Sequence, residues 1–309
     1  MSLYWKKEVI SMNNSENFSK ATINWYPGHM AKAENDIKNI LKFIDIVIEV
    51  LDARIPIASQ SLNILDILNN KKIIVVLNKS DLADENMLKK WQDIYKQKNV
   101  DMILCNTQDG KSIDEIKRKI NEIGISIYKE RYKDKKIAIS PVYKVLIVGI
   151  PNVGKSTLIN KLSNKTSAKV SNIPGVTRKN LWLKADKNLE ILDTPGILSP
   201  RFDEQTGIKL ALTGNIKQDI VDPEELAIAG IKYIIQNPKY IDLLFKKYKI
   251  NENEIRLKYN DDEIKEYTIL KEIGLKRGCL IKGGVDTLKA SNVFLNDFKN
   301  GSIGKMSLE

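Results

Sequence analysis

The sequence predicts an α/β domain with a mainly parallel sheet, followed by a smaller domain made only of α-helices. Three observations support this fold class. From residue 44 onward, short apolar runs alternate with helical patterns, as expected of parallel strands joined by crossover helices. Beyond residue 207 the strand signals fade and helical patterns dominate. A chain of 309 residues also exceeds the length that one core commonly supports, so we expect two domains.

The first half of the α/β domain alternates three predicted strands with three predicted helices. The strands are 44–51, 72–77 and 101–105, and the helices are 61–69, 84–97 and 112–123. Ser112 is the predicted N-cap of the third helix, with Glu115 completing a capping box. A lysine-rich connection at 128–136 is expected to lead into the second half.

The second half begins with a predicted strand at 142–148, which runs directly into a glycine-containing loop and a helix. A predicted hairpin follows, with strands at 180–184 and 189–192, and its second strand ends at Asp193. The C-terminal patterns predict helices at 224–236, 238–249 and 262–272. We therefore divide the chain into an N-terminal extension (1–20), the α/β domain (21–206) and a helical domain (207–309).

Composition and charge narrow the classes of protein. The two cysteines, Cys105 and Cys279, are far apart, which argues for a reducing compartment and against a zinc module. No apolar run approaches the roughly 20 residues needed to cross a bilayer. The net charge of +11 favours a polyanionic partner such as nucleic acid, although a lysine-rich solvated surface has the same charge. Residues 1–20 resemble neither a transit peptide nor a secretory signal, so we expect a cytoplasmic location.

The loop after the strand at 142–148 has the pattern of a phosphate-binding loop. Gly149, Gly154, Lys155 and Ser156 occupy every required position of the motif, between a predicted strand and a predicted helix. The glycines allow backbone N–H groups to point at phosphates, Lys155 reaches the β- and γ-phosphates, and the Ser156 hydroxyl binds Mg²⁺. The predicted phosphate contacts in this loop are Val153, Gly154, Lys155, Ser156 and Thr157.

Two later segments complete the predicted phosphate side. Asp193 and Gly196, in the sequence Asp-Thr-Pro-Gly at a strand end, supply an acidic group for Mg²⁺ and an N–H for the γ-phosphate. Thr177 lies between the two motifs, where a switch loop presents a hydroxyl to Mg²⁺ only when the γ-phosphate is present. Ile197 stands where Ras-type proteins have a glutamine that orients the attacking water, so another group must assist hydrolysis.

The segment Asn78-Lys79-Ser80-Asp81 predicts a guanine-binding site. The Asp81 carboxylate can accept both the N1 proton and the exocyclic amine of guanine, whereas adenine offers no such pair of donors. Lys79 is expected to lie along the base plane, with Asn78 supporting it. Asn106 and Thr107, after the next strand, are expected to back the guanine. The predicted ligand is therefore GTP or GDP, with Mg²⁺.

The order of these motifs is reversed. The guanine motif precedes the phosphate loop here, while in ordinary GTPases it follows the loop. Because one pocket needs both, the sequence predicts a circularly permuted P-loop GTPase domain that hydrolyses GTP.

Four features together resemble the ribosome biogenesis GTPase A family. They are the segment Ile23–Ala33, the run Asp52-Ala-Arg-Ile-Pro56, the permuted motif order and the ending Gly304–Glu309. The resemblance covers the chain from about residue 23 to its last residue. It implies a permuted GTPase domain, a helical domain that contacts ribosomal RNA, and a role in late assembly of the large ribosomal subunit. We expect a monomer that binds a precursor of that subunit, with GTP turnover stimulated by the ribosome.

The same resemblance assigns further residues. His29 matches a histidine proposed to assist hydrolysis, although a lone histidine is more often structural. Asn152 matches an asparagine that helps to bind K⁺ beside the phosphates in related K⁺-dependent GTPases. The segments Lys276-Arg277 and Lys282-Gly-Gly284 fall where the family has basic residues that face RNA, while a solvated loop has the same composition.

Other functions stay open at this point. A non-catalytic RNA-binding scaffold that senses GTP or GDP is compatible with Ile197. A mitochondrial member of the same family is a second alternative. Other permuted GTPases of ribosome assembly carry an N-terminal RNA-binding barrel or a cysteine zinc module, and this chain has neither room for the first nor cysteines for the second.

Overall fold

A computed structural model of the chain describes residues 22–24, 38–60, 68, 71–133, 142–163, 169–170, 182–193, 201–216, 221–259 and 265–309. All but one residue of the predicted helix at 61–69 lies outside the described residues.

A seven-stranded sheet forms the centre of the α/β part. Its strands are β2 (Ile46–Asp52), β3 (Lys72–Asn78), β4 (Asp101–Cys105), β5 (Tyr143–Val148), β6 (Lys169–Val170), β7 (Trp182–Asp186) and β8 (Leu189–Asp193). Their order across the sheet is β4-β3-β2-β5-β8-β7-β6. The pairs β6–β7 and β7–β8 are antiparallel and the others are parallel, which confirms the predicted mainly parallel sheet. A separate two-stranded sheet pairs β1 (Thr22–Asn24) with β9 (Arg201–Asp203).

Helices cover both faces of this sheet. The helices are α1 (Glu85–Gln97), α2 (Gly110–Arg131) and α3 (Lys155–Leu162). Trp91 and Tyr95 of α1 pack on one face with Leu77, while Ile116 of α2 packs on the other face with Val76. All seven residues of β2 are buried because neighbouring strands flank it and helices cover it.

The predicted start of α2 is wrong. Asp109, rather than Ser112, is the N-cap, and its carboxylate accepts from the Lys111 backbone N–H. The Ser112 hydroxyl is occupied differently, since it donates to the carbonyls of Asn106 and Asp109. The helix also continues to Arg131, through the first residues of the predicted connection at 128–136.

The C-terminal part is mostly helical. Its helices are α4 (Glu204–Leu212), α5 (Pro223–Ile235), α6 (Pro238–Tyr248), α7 (Glu252–Tyr259), α8 (Glu266–Lys276) and α9 (Thr287–Lys299). The helix predicted at 262–272 is shifted, and α4, α7 and α9 were not predicted. A small hairpin of β10 (Leu280–Ile281) and β11 (Gly284–Val285) corrects the expectation of helices alone. Helix α4 spans the predicted domain boundary between residues 206 and 207.

The last residues run back over the α/β part. The Met306 N–H donates to the Leu82 carbonyl at 3.0 Å, and the Leu308 N–H donates to the Arg54 carbonyl at 2.9 Å. The Glu309 carboxylate accepts from the Ile57 N–H at 2.6 Å. These contacts attach the end of the helical part to the loops that follow β2 and β3. Across the described ranges, we find no helix long and apolar enough to span a membrane.

Candidate nucleotide-binding site

Those predicted site residues that the structure describes lie at one edge of the sheet, because parallel strands end on the same side. Strand β2 ends at Asp52 and β3 ends at Asn78, and these two residues are paired in register. On the other side of β2, strand β5 runs into the phosphate loop, and its Ile147 pairs with Asp193 at the end of β8. Strand β2 therefore joins the half that carries the guanine motif to the half that carries the phosphate loop.

The phosphate loop has a backbone that only glycine fits at two positions. Gly149 has a φ of 154°, and an added Cβ there lies 2.5 Å from the Val50 carbonyl oxygen. Gly154 has a φ of 101°, and an added Cβ lies 2.2 Å from Nδ2 of Asn78. Glycine at these two positions therefore lets the loop pack directly against the Val50 carbonyl and the Asn78 side chain.

Helix α3 begins where the phosphate loop ends. Its first N–H groups make this end suitable for an anion. Lys155 is buried at its first position, and Nζ donates to the Ile150 carbonyl at 2.8 Å. Ser156 and Thr157 are exposed in the same turn.

Asn78 connects the two motifs directly. Its Nδ2 donates to the Val153 carbonyl of the phosphate loop at 2.7 Å, although 75 residues separate them. The side chain is buried, and Oδ1 has no hydrogen-bond partner within the described part of the chain. The guanine motif and the phosphate loop are thus in direct contact.

Lys79 is held by a buried carboxylate. The residue has a φ of 58°, in the left-handed region, and Nζ lies 2.9 Å from Oδ2 of Asp52. Burial lowers the pKa of the Lys79 ammonium, and the Asp52 charge partly offsets this effect. Burial raises the pKa of Asp52, but the positive charges of Arg54 and Lys79 outweigh it and hold that pKa well below its usual range.

Asp52 and Arg54 are site residues that sequence reasoning missed, because we used them only as marks of resemblance. Arg54 donates to both carboxylate oxygens of Asp52, from Nε at 3.0 Å and from Nη2 at 2.8 Å. Asn215 adds a third side-chain donor at 3.0 Å. The signal available in the sequence was an acidic residue at the end of a largely apolar strand and a basic residue two positions later.

The other predicted guanine residues lie on the loops that follow β3 and β4. Asp81 is exposed in a short 3₁₀ turn at Ser80–Leu82. Asn106 and Thr107 follow β4, which neighbours β3 in the sheet. The Asn106 Oδ1 accepts from the Gln108 N–H at 2.9 Å, so this oxygen shapes its own loop.

Asn152, the predicted K⁺ ligand, has a φ of 58° and an exposed side chain. Its Nδ2 lies 3.5 Å from the Asn215 carbonyl oxygen. Asp193 is described only as the last residue of β8. His29, Thr177, Gly196 and Ile197 lie outside the described residues, so their predicted roles stay predictions.

The predicted RNA-facing segments lie around the hairpin of β10 and β11. Lys276 and Lys282 are exposed. Arg277 is already engaged, since Nη2 lies 2.9 Å from Oδ2 of Asp297 and its guanidinium covers the Tyr248 ring. The exposed lysines are therefore better placed than Arg277 to meet an anionic partner.

Comparison with known proteins gives consistent matches. The family described as "50S ribosome-binding GTPase" matches residues 144–264. Ribosome biogenesis GTPase A of Bacillus pumilus is 40% identical over 294 residues, which cover 93% of this chain and 98% of that protein. The protein of the same name from Bacillus licheniformis is 41% identical over 291 residues, with 93% and 98% covered. Mitochondrial proteins are also among the relatives.

A solved structure also resembles this chain. The GDP-bound structure of YlqF from Thermotoga maritima is 26% identical and has a TM-score of 0.56. The match covers 88% of this chain and 97% of that one.

Proposed function

Since the chain belongs to the ribosome biogenesis GTPase A family, and is thus a GTPase of ribosome biogenesis, we propose that it is a molecular switch in late assembly of the large ribosomal subunit. GTP hydrolysis to GDP and phosphate drives the switch. The observation that carries this proposal is the hydrogen bond from Asn78 to the Val153 carbonyl, because it brings the two motifs into contact although their order in the chain is reversed.

The phosphate loop fits a nucleotide triphosphate with Mg²⁺. Gly149 and Gly154 give the loop the positive-φ backbone that lets its N–H groups face phosphate oxygens beside the first turn of α3. The Ser156 hydroxyl and the Asp193 carboxylate are oxygen donors of the kind that Mg²⁺ prefers. When bound, Mg²⁺ neutralises charge on the phosphates. Lys155 adds a fixed positive charge, and Val153, Gly154 and Thr157 complete the contacts.

Asp81 selects guanine over adenine by accepting two hydrogen bonds from the base edge. Lys79 lies along the base, Asn78 joins the base side to the phosphate side, and Asn106 and Thr107 back the base. The Lys79 ammonium, held 2.9 Å from Asp52, supports this role.

Hydrolysis needs a polar group to replace the missing glutamine, because Ile197 cannot orient water. We assign this assistance to His29, with Thr177 and Gly196 sensing the γ-phosphate. Asn152 is assigned to a K⁺ ion, whose charge partly replaces an arginine finger. The exposed Asn152 side chain, in the phosphate loop, supports this assignment.

The proposed partner is a precursor of the large subunit, contacted through ribosomal RNA. The net charge of +11 and the exposed Lys276 and Lys282 support an anionic partner. We infer that the protein acts as a cytoplasmic monomer. Mitochondrial relatives make a mitochondrial ribosome the alternative setting.

The test is GTP hydrolysis with and without purified large subunits, in K⁺ and in Na⁺ buffer. The wild type should be accelerated strongly by subunits in K⁺, and His29→Ala should be accelerated little. Lys276→Ala with Lys282→Ala should require more subunits for half-maximal stimulation, while its intrinsic rate stays unchanged. Subunits that bind without raising the rate would favour a nucleotide-sensing scaffold and refute the proposed mechanism.

A further inference from the structure

The buried ion pair of Asp52 and Arg54 lies between the predicted guanine site and the helical part. Asp52 is wholly buried and Arg54 is 3% exposed. The Asp52 carboxylate accepts from the side chains of Arg54, Lys79 and Asn215, and from the Arg54 backbone N–H at 3.1 Å. One buried carboxylate therefore fixes side chains from three separate segments of the chain.

On one side, this carboxylate fixes the guanine-site lysine. A lysine side chain has four carbons of rotational freedom, and ordering it on binding costs entropy. Asp52 holds the Lys79 ammonium at 2.9 Å, on a residue whose left-handed backbone already sets the direction of its side chain. The ammonium is thus positioned before a nucleotide arrives, which favours binding.

On the other side, Arg54 binds the ends of two helices. Its Nη2 donates to the Thr213 carbonyl at 2.9 Å, just after α4, and its Nη1 donates to the Lys299 carbonyl at 3.0 Å, the last residue of α9. Carbonyls at helix C-termini lack partners within the helix and carry partial negative charge, so a guanidinium suits both. A shift of either helix end must therefore move Arg54.

Asn215 extends the connection to the phosphate loop. Its Nδ2 donates to Asp52, while its backbone carbonyl lies 3.5 Å from Nδ2 of Asn152. The turn after α4 thus contacts both the anchor of the guanine lysine and the phosphate loop.

We propose that Asp52 and Arg54 are positioning residues that fix Lys79 for guanine binding and couple occupancy of the guanine site to the packing of α4 and α9. This inference rests on the proposed assignment of Lys79 to guanine. Coupling between two sites is reciprocal. Nucleotide binding must therefore stabilise the packing of the ends of α4 and α9 by the same free energy by which that packing stabilises nucleotide binding.

The experiment measures GDP affinity and hydrogen exchange in full-length variants. Arg54→Met and Asp52→Asn break the ion pair. Glu309→Gln is the matched control, since Glu309 accepts from Ile57 and from Lys209 of α4 at the same interface but does not contact Asp52. Lys79→Met tests the guanine assignment by itself.

Arg54→Met and Asp52→Asn are expected to weaken GDP binding at least tenfold, and Glu309→Gln less than twofold. In the wild type, GDP should slow amide exchange over residues 296–302, and this GDP-dependent difference should vanish in Arg54→Met. A purely structural role raises exchange with and without GDP alike, so the difference separates the two explanations.

If a single variant does not fold because it leaves a buried charge unpaired, the double variant Asp52→Asn with Arg54→Met removes both charges and is judged by the same limits. GDP affinity within twofold of the Glu309→Gln control overturns the inference. Unchanged affinity in Lys79→Met instead overturns the guanine assignment, and the inference falls with it.

Discussion

Replacing Glu49 with glutamine is expected to change how the stability of the protein depends on pH. Glu49 lies in the middle of β2, paired with Val75 on one side and Val148 on the other, and is 5% exposed. Burial disfavours the charged form and raises the pKa of Glu49 from 4.5 to about 7. The carboxyl group therefore changes its protonation in the folded protein near neutral pH.

The direction follows from proton binding. Between pH 4.5 and about 7 the folded protein keeps the Glu49 proton while the unfolded chain releases it, so the free energy of unfolding falls as pH rises. The stabilisation that protonated Glu49 contributes is complete below the ordinary pKa of 4.5 and is lost once the pH passes about 7. The full loss is about 3 kcal/mol, and roughly 2 kcal/mol of it falls between pH 5 and pH 8.

Urea denaturation at pH 5 and pH 8 measures this effect. The fluorescence of the buried Trp91 and Trp182 follows unfolding of the α/β part. Glu49→Gln keeps the shape of the side chain and removes its titration. Between pH 5 and pH 8, the free energy of unfolding of the variant should rise by about 2 kcal/mol relative to that of the wild type.

Glu190→Gln is the control, because it removes a formal charge at a half-buried position of the same sheet. At each pH, the difference in free energy of unfolding between Glu190→Gln and the wild type is subtracted from the difference for Glu49→Gln. This step removes the general effect of net charge. The reasoning would be refuted if this corrected difference in the free energy of unfolding were the same at pH 5 and at pH 8. Glu49 would then have the same affinity for a proton in the folded and unfolded chains.

Three further predictions concern the phosphate loop and the packing of α2. Lys155→Ala should lower the rate of phosphate release about a hundredfold or more, because a preorganised positive charge is lost, and near wild-type turnover would exclude Lys155 from the catalytic site. Gly154→Ala should weaken GDP binding at least tenfold in a fluorescence titration, since the added Cβ would lie 2.2 Å from Nδ2 of Asn78. Unchanged affinity would show that the loop accommodates a Cβ at this position. Gly124→Ala should lower the free energy of unfolding by about 1–3 kcal/mol, because its Cβ lies 2.6 Å from the Tyr143 ring. Gly110→Ala on the same helix has nothing within 4 Å and should match the wild type; equal stability of both variants would contradict the packing argument.

The sheet was predictable because local patterns encode it. The apolar runs at 72–77 and 101–105 become β3 and β4 almost residue by residue, and the motif at 78–81 follows β3 as expected. Helix boundaries were less predictable, since Asp109 and Ser112 are both suitable N-caps. Only the buried position of Ser112 against the Asn106 carbonyl decides between them.

The contacts that hold Lys79 were not predictable in the same way. Arg54 meets the Lys299 carbonyl across 245 residues, and Asp52 meets Asn215 across 163. Neither contact leaves a periodic pattern in the sequence. The resemblance drew attention to the run that contains both residues, but only tertiary packing shows that they hold Lys79.

The contacts of residues 299–309 determine when the pocket can be completed during synthesis. Sheet strands β2 to β8 are made first and can pair while the rest of the chain is still being translated. Arg54 cannot meet the Lys299 carbonyl, and the Leu308 N–H cannot meet the Arg54 carbonyl, until those late residues have left the ribosome. A nascent chain thus carries the segment 78–81 long before the contacts that support Lys79 through Arg54 can form.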